Sequence, residues 1–206
     1  MLHRLSSLYD PRSPDKGVSH RLLNLLEGAG LDSCIVPAVG DVISHMVSPV
    51  RLLDTLNLRW PDKFPALLGI DEEVILRFWN DVKTSAATEF AEIRNRPGMR
   101  DLDPSQWGRA IPLTLHEDAG PFTKRSSVNI ISFNSAFARS GEKVSQFPVA
   151  TFIKQGALSS EREQALWNPI LAEFTRLAQD GIGRWRFIRL FAKGDMETRS
   201  VSRGLK

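Results

Sequence analysis

Apolar residues along this chain follow two different periods, and the change between them falls near residue 105. Before it they recur at three- and four-residue steps, the spacing that gives a helix one buried stripe. Val18 to Glu27 is a short, leucine-rich run stopped by Gly28 and Gly30. Val42 to Leu56 predicts a second helix, broken or split at Pro49, whose ring nitrogen has no hydrogen to donate. The clearest pattern begins after Asp71, an N-cap with Glu72 and Glu73 in the first turn, and runs to about Arg94 before Pro97-Gly98. Ile75, Phe78, Val82, Ala86, Phe90 and Ile93 form its stripe. Residues 1–16 carry Pro11 and Pro14 among Ser, Asp and Arg, a composition that predicts a disordered leader.

After residue 105 the runs shorten and alternate. Ile111 to His116 predicts a strand, Ala119 to Ser127 a turn-rich connection, and Val128 to Phe133 a second strand. Pro148 to Ile153 predicts a third. Ser160 with Glu163 is a capping-box signature, and Leu166, Ile170, Leu171, Phe174, Leu177 and Ala178 make a helical stripe that ends before Gly181. Pro169 either kinks this helix or follows a second N-cap at Asn168. Arg184 to Lys193 predicts a last strand, which delivers Gly194-Asp195 at its end. The order is β-β-β-α-β. Short turns make the first three strands an antiparallel meander, and the helix allows a crossover to a strand parallel to one already placed. If the last strand lies beside and parallel to the first, Asp118 and Asp195 are neighbours, since adjacent strands sit about 4.8 Å apart.

Composition narrows the class without naming a function. The chain has 206 residues, 42% hydrophobic and 25% charged, which fits a globular protein with a substantial core and excludes a low-complexity or fibrous one. No apolar run is long enough to span a membrane, and MLHRLSSLYDPRSPDK lacks the apolar centre of a signal peptide, so an intracellular location with no membrane partner is expected. Cys34 is the only cysteine, which rules out an internal disulfide and a zinc site of paired cysteines. Charge is uneven: residues 184–206 hold seven basic side chains against Asp195 and Glu197. Such an end can neutralise phosphates or be a solvated tail, and the tail reading is preferred for residues 198–206.

The chemistry-bearing stretches surround Asp118 and Asp195. Leu113-Thr114-Leu115-His116-Glu117-Asp118-Ala119-Gly120-Pro121-Phe122, then Ser126 to Ser135, Phe147 to Ile153, Ser160 to Asp180 and Arg184 to Met196, resemble in order and spacing the start of the catalytic domain of CACTA (En/Spm-type) transposases and related transposon-derived proteins. The resemblance covers a little under half of the chain and implies an α+β protein. Residues 17–105 would be a helical region, residues 106–197 a partial RNase H-like sheet and residues 198–206 a basic tail.

The same resemblance implies Asp118 and Asp195 as the first two carboxylates of a D-D-E/D set holding Mg²⁺ for phosphoryl transfer on DNA, and a nuclear location. Carboxylates suit Mg²⁺ because it prefers hard oxygen ligands. Family pattern and chain differ at Ala119, where a glycine is usual, and at Met196-Glu197, where Pro-Ala is usual. The family's third acid lies beyond a stretch this chain does not contain, so an incomplete and inactive copy is expected.

Several readings stay open at the level of single residues. Asp118 equally suits the start of a turn continued by Gly120-Pro121, and Asp195 a surface turn after Gly194. His116 and Glu117 are candidate extra ligands, although a single strand histidine is more often merely hydrogen-bonded. Lys124 and Arg125, in the loop between the first two strands, and Arg184 and Arg186 are the candidate phosphate contacts. Trp60, Trp79, Trp107, Trp167 and Trp185 are scattered and read as core anchors. No G-x-S-x-G elbow, phosphate-binding loop or H-E-x-x-H motif is present. The alternative to a phosphoryl-transfer domain is a noncatalytic module that binds nucleic acid or protein through the basic end and the helical half.

Overall fold

A computed structural model describes Asn24 and residues 26–38, 42–43, 45–86, 88–95, 97–100, 102–123, 126–138, 146–155 and 157–193. The expected leader, most of the helix expected over 18–27 and the basic tail lie outside the described residues. Within them the chain is mixed α and β.

In the helical half a 3₁₀ turn, Asp32–Cys34, leads into a small antiparallel hairpin, β1 (Ile35–Pro37) and β2 (His45–Val47). It occupies part of the stretch expected to be helical from Val42. The helix starts instead at Pro49, as α1 (Pro49–Arg59), because Ser48 is its N-cap: the Ser48 hydroxyl accepts from the Arg51 amide at 3.2 Å. Proline at the first helical position costs no intrahelical bond. A single turn, α2 (Phe64–Leu67), precedes α3 (Glu72–Thr84). Asp71 caps α3 as expected, accepting from the amides of Glu73 at 3.0 Å and Val74 at 3.2 Å.

The expected continuation of α3 to Arg94 is divided. Ser85 is extended, and α4 (Thr88–Arg94) is a separate piece, followed by α5 (Pro97–Arg100). The Arg94 guanidinium turns back and donates to the carbonyls of Val82 at 2.6 Å and Ser85 at 2.9 Å, satisfying acceptors that a helix end leaves open. Of the expected stripe, Ile75, Val82 and Ile93 are buried, Phe78 and Phe90 half-buried and Ala86 exposed.

The second half is one four-stranded sheet with spatial order β5-β4-β3-β6. Its strands are β3 (Ala110–Thr123), β4 (Ser126–Ser135), β5 (Phe147–Gln155) and β6 (Arg186–Lys193). β3–β4 and β4–β5 are antiparallel, while β6 runs parallel to β3 along its other edge. This is the neighbour relation that the β-β-β-α-β order makes available.

Two boundaries move. β3 continues through Asp118, Gly120 and Pro121, so the connection expected over 119–127 shrinks to a tight hairpin, with a register shift between Pro121 and Thr123. β6 starts at Arg186, because Ile182 and Trp185 exchange backbone bonds of 2.9 and 3.0 Å in a turn just before it.

The crossover helix α6 (Ser160–Gln179) runs unbroken through Pro169, so neither a break nor a second cap at Asn168 is present. Its N-cap is Ser159, one residue before the expected Ser160: the Ser159 hydroxyl accepts from the Arg162 amide at 3.4 Å. Leu166, Trp167, Ile170, Phe174 and Leu177 are buried. Phe174 meets Phe133 edge to face at 5.4 Å, and Phe133 stacks on Phe147 at 5.2 Å, which fixes the helix on one side of the sheet.

One core joins the two halves. Trp79 of α3 is buried and its indole N–H donates to the carbonyl of Ala110 at the start of β3, at 2.6 Å. Trp167 and Trp185 are buried too, Trp107 half-buried, and Trp60 is 40% exposed, so the core-anchor expectation fails for Trp60, which closes α1 at the surface.

Candidate functional site

β3 is a central strand, and its alternation sorts its residues. Ile111, Leu113 and Leu115 point one way and are buried; Thr114, His116 and Asp118 point the other. The pairings Thr114↔Asn134, His116↔Ser132 and Asp118↔Ile130 bring Asn134 and Ser132 of β4 to that second side. Asp118 is exposed, while His116 and Glu117 are half-buried. Because Asp118 sits inside a paired strand, the reading that it starts a turn is corrected: Ala119, Gly120 and Pro121 all have partners in β4.

The polar side chains on this side form a network. The Thr114 hydroxyl donates to Asn134 Oδ1, and His116 Nε2 lies 3.0 Å from Thr114 Oγ1 and 2.9 Å from Asn134 Oδ1. A carboxamide oxygen only accepts, so the ring nitrogen facing it is the donor. With Asn134 in this orientation the contact favours a proton on Nε2, and Nδ1 takes no part in it. Next to it, Ser132 is 4% exposed, and its hydroxyl oxygen has no hydrogen-bond partner among the described residues.

The parallel pair sets what lies beside Asp118. Register runs from Ala110↔Arg186 to Leu113↔Arg189, then resumes at Thr114↔Phe191 and ends at His116↔Lys193. β6 therefore carries one extra residue, Leu190, a bulge that advances it by one position. Counting on two residues from the last pair reaches Asp118 on β3 and, along the sequence, Asp195. Asp195 itself lies outside the described residues, as do Lys124 and Arg125. Among the described residues no three His, Cys, Asp or Glu side chains converge to hold a metal ion.

The two described basic candidates are already engaged. Arg184 Nη2 lies 3.0 Å from Glu72 Oε1, and its guanidinium stacks 4.5 Å from the Trp185 ring centroid. Arg109 Nε reaches the same carboxylate at 3.7 Å. Arg186 donates to the Asp180 carbonyl at the end of α6. All three bind the strand ends to the helices, and a phosphate would have to compete with those contacts.

Sequence reading missed Thr114, Ser132 and Asn134. A signal for them exists: polar residues at every second position, Thr-x-His-x-Asp on one strand and Ser-x-Asn on the next, alternate with Leu113, Leu115, Ile131 and Phe133.

Comparisons with protein-family models, with curated proteins and with solved structures find no match. No described helix is long and apolar enough to cross a membrane.

Proposed function

We propose that this chain is a transposase-derived, RNase H-like domain in which Asp118 and Asp195 are the first two carboxylates of a Mg²⁺ site for phosphoryl transfer on DNA. One observation carries the reading: β6 follows the helix α6 and lies parallel to β3, with a register that ends two residues before each aspartate. If the pairing continues by one more step of the pleat, the two carboxylates face the same side of the sheet about one strand spacing apart. Asp118 is exposed on that side and offers the hard oxygen donors that Mg²⁺ prefers.

When bound, Mg²⁺ in such a site lowers the pKa of a water and neutralises charge on a phosphodiester. Asp118 would fix the ion from a rigid central strand, and the His116–Thr114–Asn134 bonds stiffen that strand below it. Lys124 and Arg125, six and seven residues after Asp118 in sequence, would be the phosphate contacts. No third acid is assigned here, and the proposal concerns cation binding by Asp118 and Asp195.

Titration of Mg²⁺ into the full chain, followed by thermal denaturation, tests the reading. The midpoint should rise with Mg²⁺ for the native sequence and stay constant for Asp118→Ala and for Asp195→Ala. A rise retained in both variants would contradict it and leave a noncatalytic interaction module as the better account.

A further inference from the structure

The Asp118 side of the sheet carries two groups that Mg²⁺ chemistry does not use. His116 stands two residues before Asp118 on the same side of β3. Alternate residues of a strand project side by side, so an imidazole and a carboxylate at this spacing can reach one ion between them. The ring is already oriented: Nε2 is engaged with Thr114 and Asn134, and Nδ1 is the nitrogen outside those contacts. A metal-ligating histidine is commonly fixed in this way, one nitrogen held by an oxygen and the other presented to the ion.

Directly across from His116, Ser132 adds an independent sign of a missing ligand. Its hydroxyl is more than nine-tenths buried on the same side of the sheet and unpartnered among the described residues. A buried hydroxyl without a partner is unfavourable, and an ion-bound water beside it would supply one.

We infer that His116 Nδ1 is a ligand of the same cation as Asp118, and that the site therefore selects a divalent transition-metal ion, Mn²⁺ included, over Mg²⁺. The inference rests on the Asp118 cation reading and extends it. Imidazole nitrogen stabilises Mn²⁺, Co²⁺ and Zn²⁺ far more than it does Mg²⁺, which favours oxygen and retains its waters. Ser132 supports the site through a bound water and does not ligate directly.

Electron paramagnetic resonance of free Mn²⁺, with Mg²⁺ as competitor, tests this on the full chain. The native sequence should bind Mn²⁺ about tenfold more tightly than Mg²⁺; His116→Gln should lose that preference with little change in Mg²⁺ affinity, and Asp118→Asn should lose both ions. Loss in Asp118→Asn with the preference intact in His116→Gln overturns the inference and leaves the Asp118 site standing. Binding unchanged in Asp118→Asn overturns both. A readout on the unmutated chain guards against misfolded variants: on adding Zn²⁺, the ¹⁵N resonance of His116 Nδ1 should shift while Nε2 keeps its proton. A static Nδ1 resonance at saturating Zn²⁺ would also overturn the inference.

Discussion

Ser48 and Glu173 show how single side chains join the two halves. The Ser48 hydroxyl caps α1 through the Arg51 amide and donates to Glu173 Oε2 of α6, while Glu173 Oε1 accepts from Arg176 at 3.1 Å. Ser48 is buried, so this bond to a charged group should contribute about 1.5–3 kcal/mol. A double-mutant cycle of Ser48→Ala and Glu173→Gln in urea should give a coupling energy of that order; additive losses would mean the pair does not interact.

Trp79→Phe should destabilise by about 1–3 kcal/mol, because the Ala110 carbonyl loses its indole donor in the core. Equal urea midpoints for variant and native chain would remove that bond from the account. Neither contact was legible beforehand. Periodicity marks Trp79 as apolar, but the partner of an indole N–H depends on which backbone lies 31 residues away.

Elements were legible where local chemistry agrees with packing. Asp71 starts α3 and the leucine- and phenylalanine-rich stripe defines α6, as the pattern predicts. Departures have local causes. Arg94 ends α3 early by donating to its last carbonyls, and Ser48 diverts residues 45–47 into a hairpin by fixing the helix start at Pro49. Pro169 is the reverse case: tertiary burial of the stripe on both sides of it overrides a residue that breaks isolated helices. Pro169→Ala restores one backbone donor to α6 and should raise the thermal midpoint, by the equivalent of about 1–3 kcal/mol; a lower midpoint would show that the ring itself is needed for packing.

β3 outran its expectation because Gly120 and Pro121 read as a turn in isolation, yet all the residues from Leu113 to Pro121 find partners in β4. Gly69 ties this sheet to α2. Its φ is +62°, and a Cβ there would lie 2.4 Å from the carbonyl oxygen of Phe137. Gly69→Ala therefore meets both backbone strain and a clash, and should destabilise by more than the 1–2 kcal/mol that left-handed backbone alone costs, on the order of 3 kcal/mol in chemical denaturation. An unchanged midpoint would mean that the two halves separate at this joint without cost.

At the scale of the molecule, the sequence order of strands and helix limited the sheet to a few arrangements, and the observed one places the crossover strand parallel to the first. What order could not supply was register. The extra residue at Leu190 shifts β6 by one position, and only with that shift does the count along both strands arrive at Asp118 and Asp195 together. A bulge has no periodic signature, and this one lies in the edge strand β6, where such insertions are common. The polar side of β3 and β4 was half legible: Asp118 and His116 stand out by type, whereas Thr114, Asn134 and Ser132 acquire meaning only once the strands are paired.

The proximity of Asp118 and Asp195 is the premise of the proposed function, and disulfide trapping reports it most directly. In a Cys34→Ser background, Asp118→Cys and Asp195→Cys should form an intramolecular disulfide under mild oxidation of the folded chain, because paired positions on adjacent strands lie within the roughly 4.4–6.8 Å Cα separation that a disulfide bridges. Two thiols that remain free in the folded protein, and cross-link only after denaturation, would contradict the account.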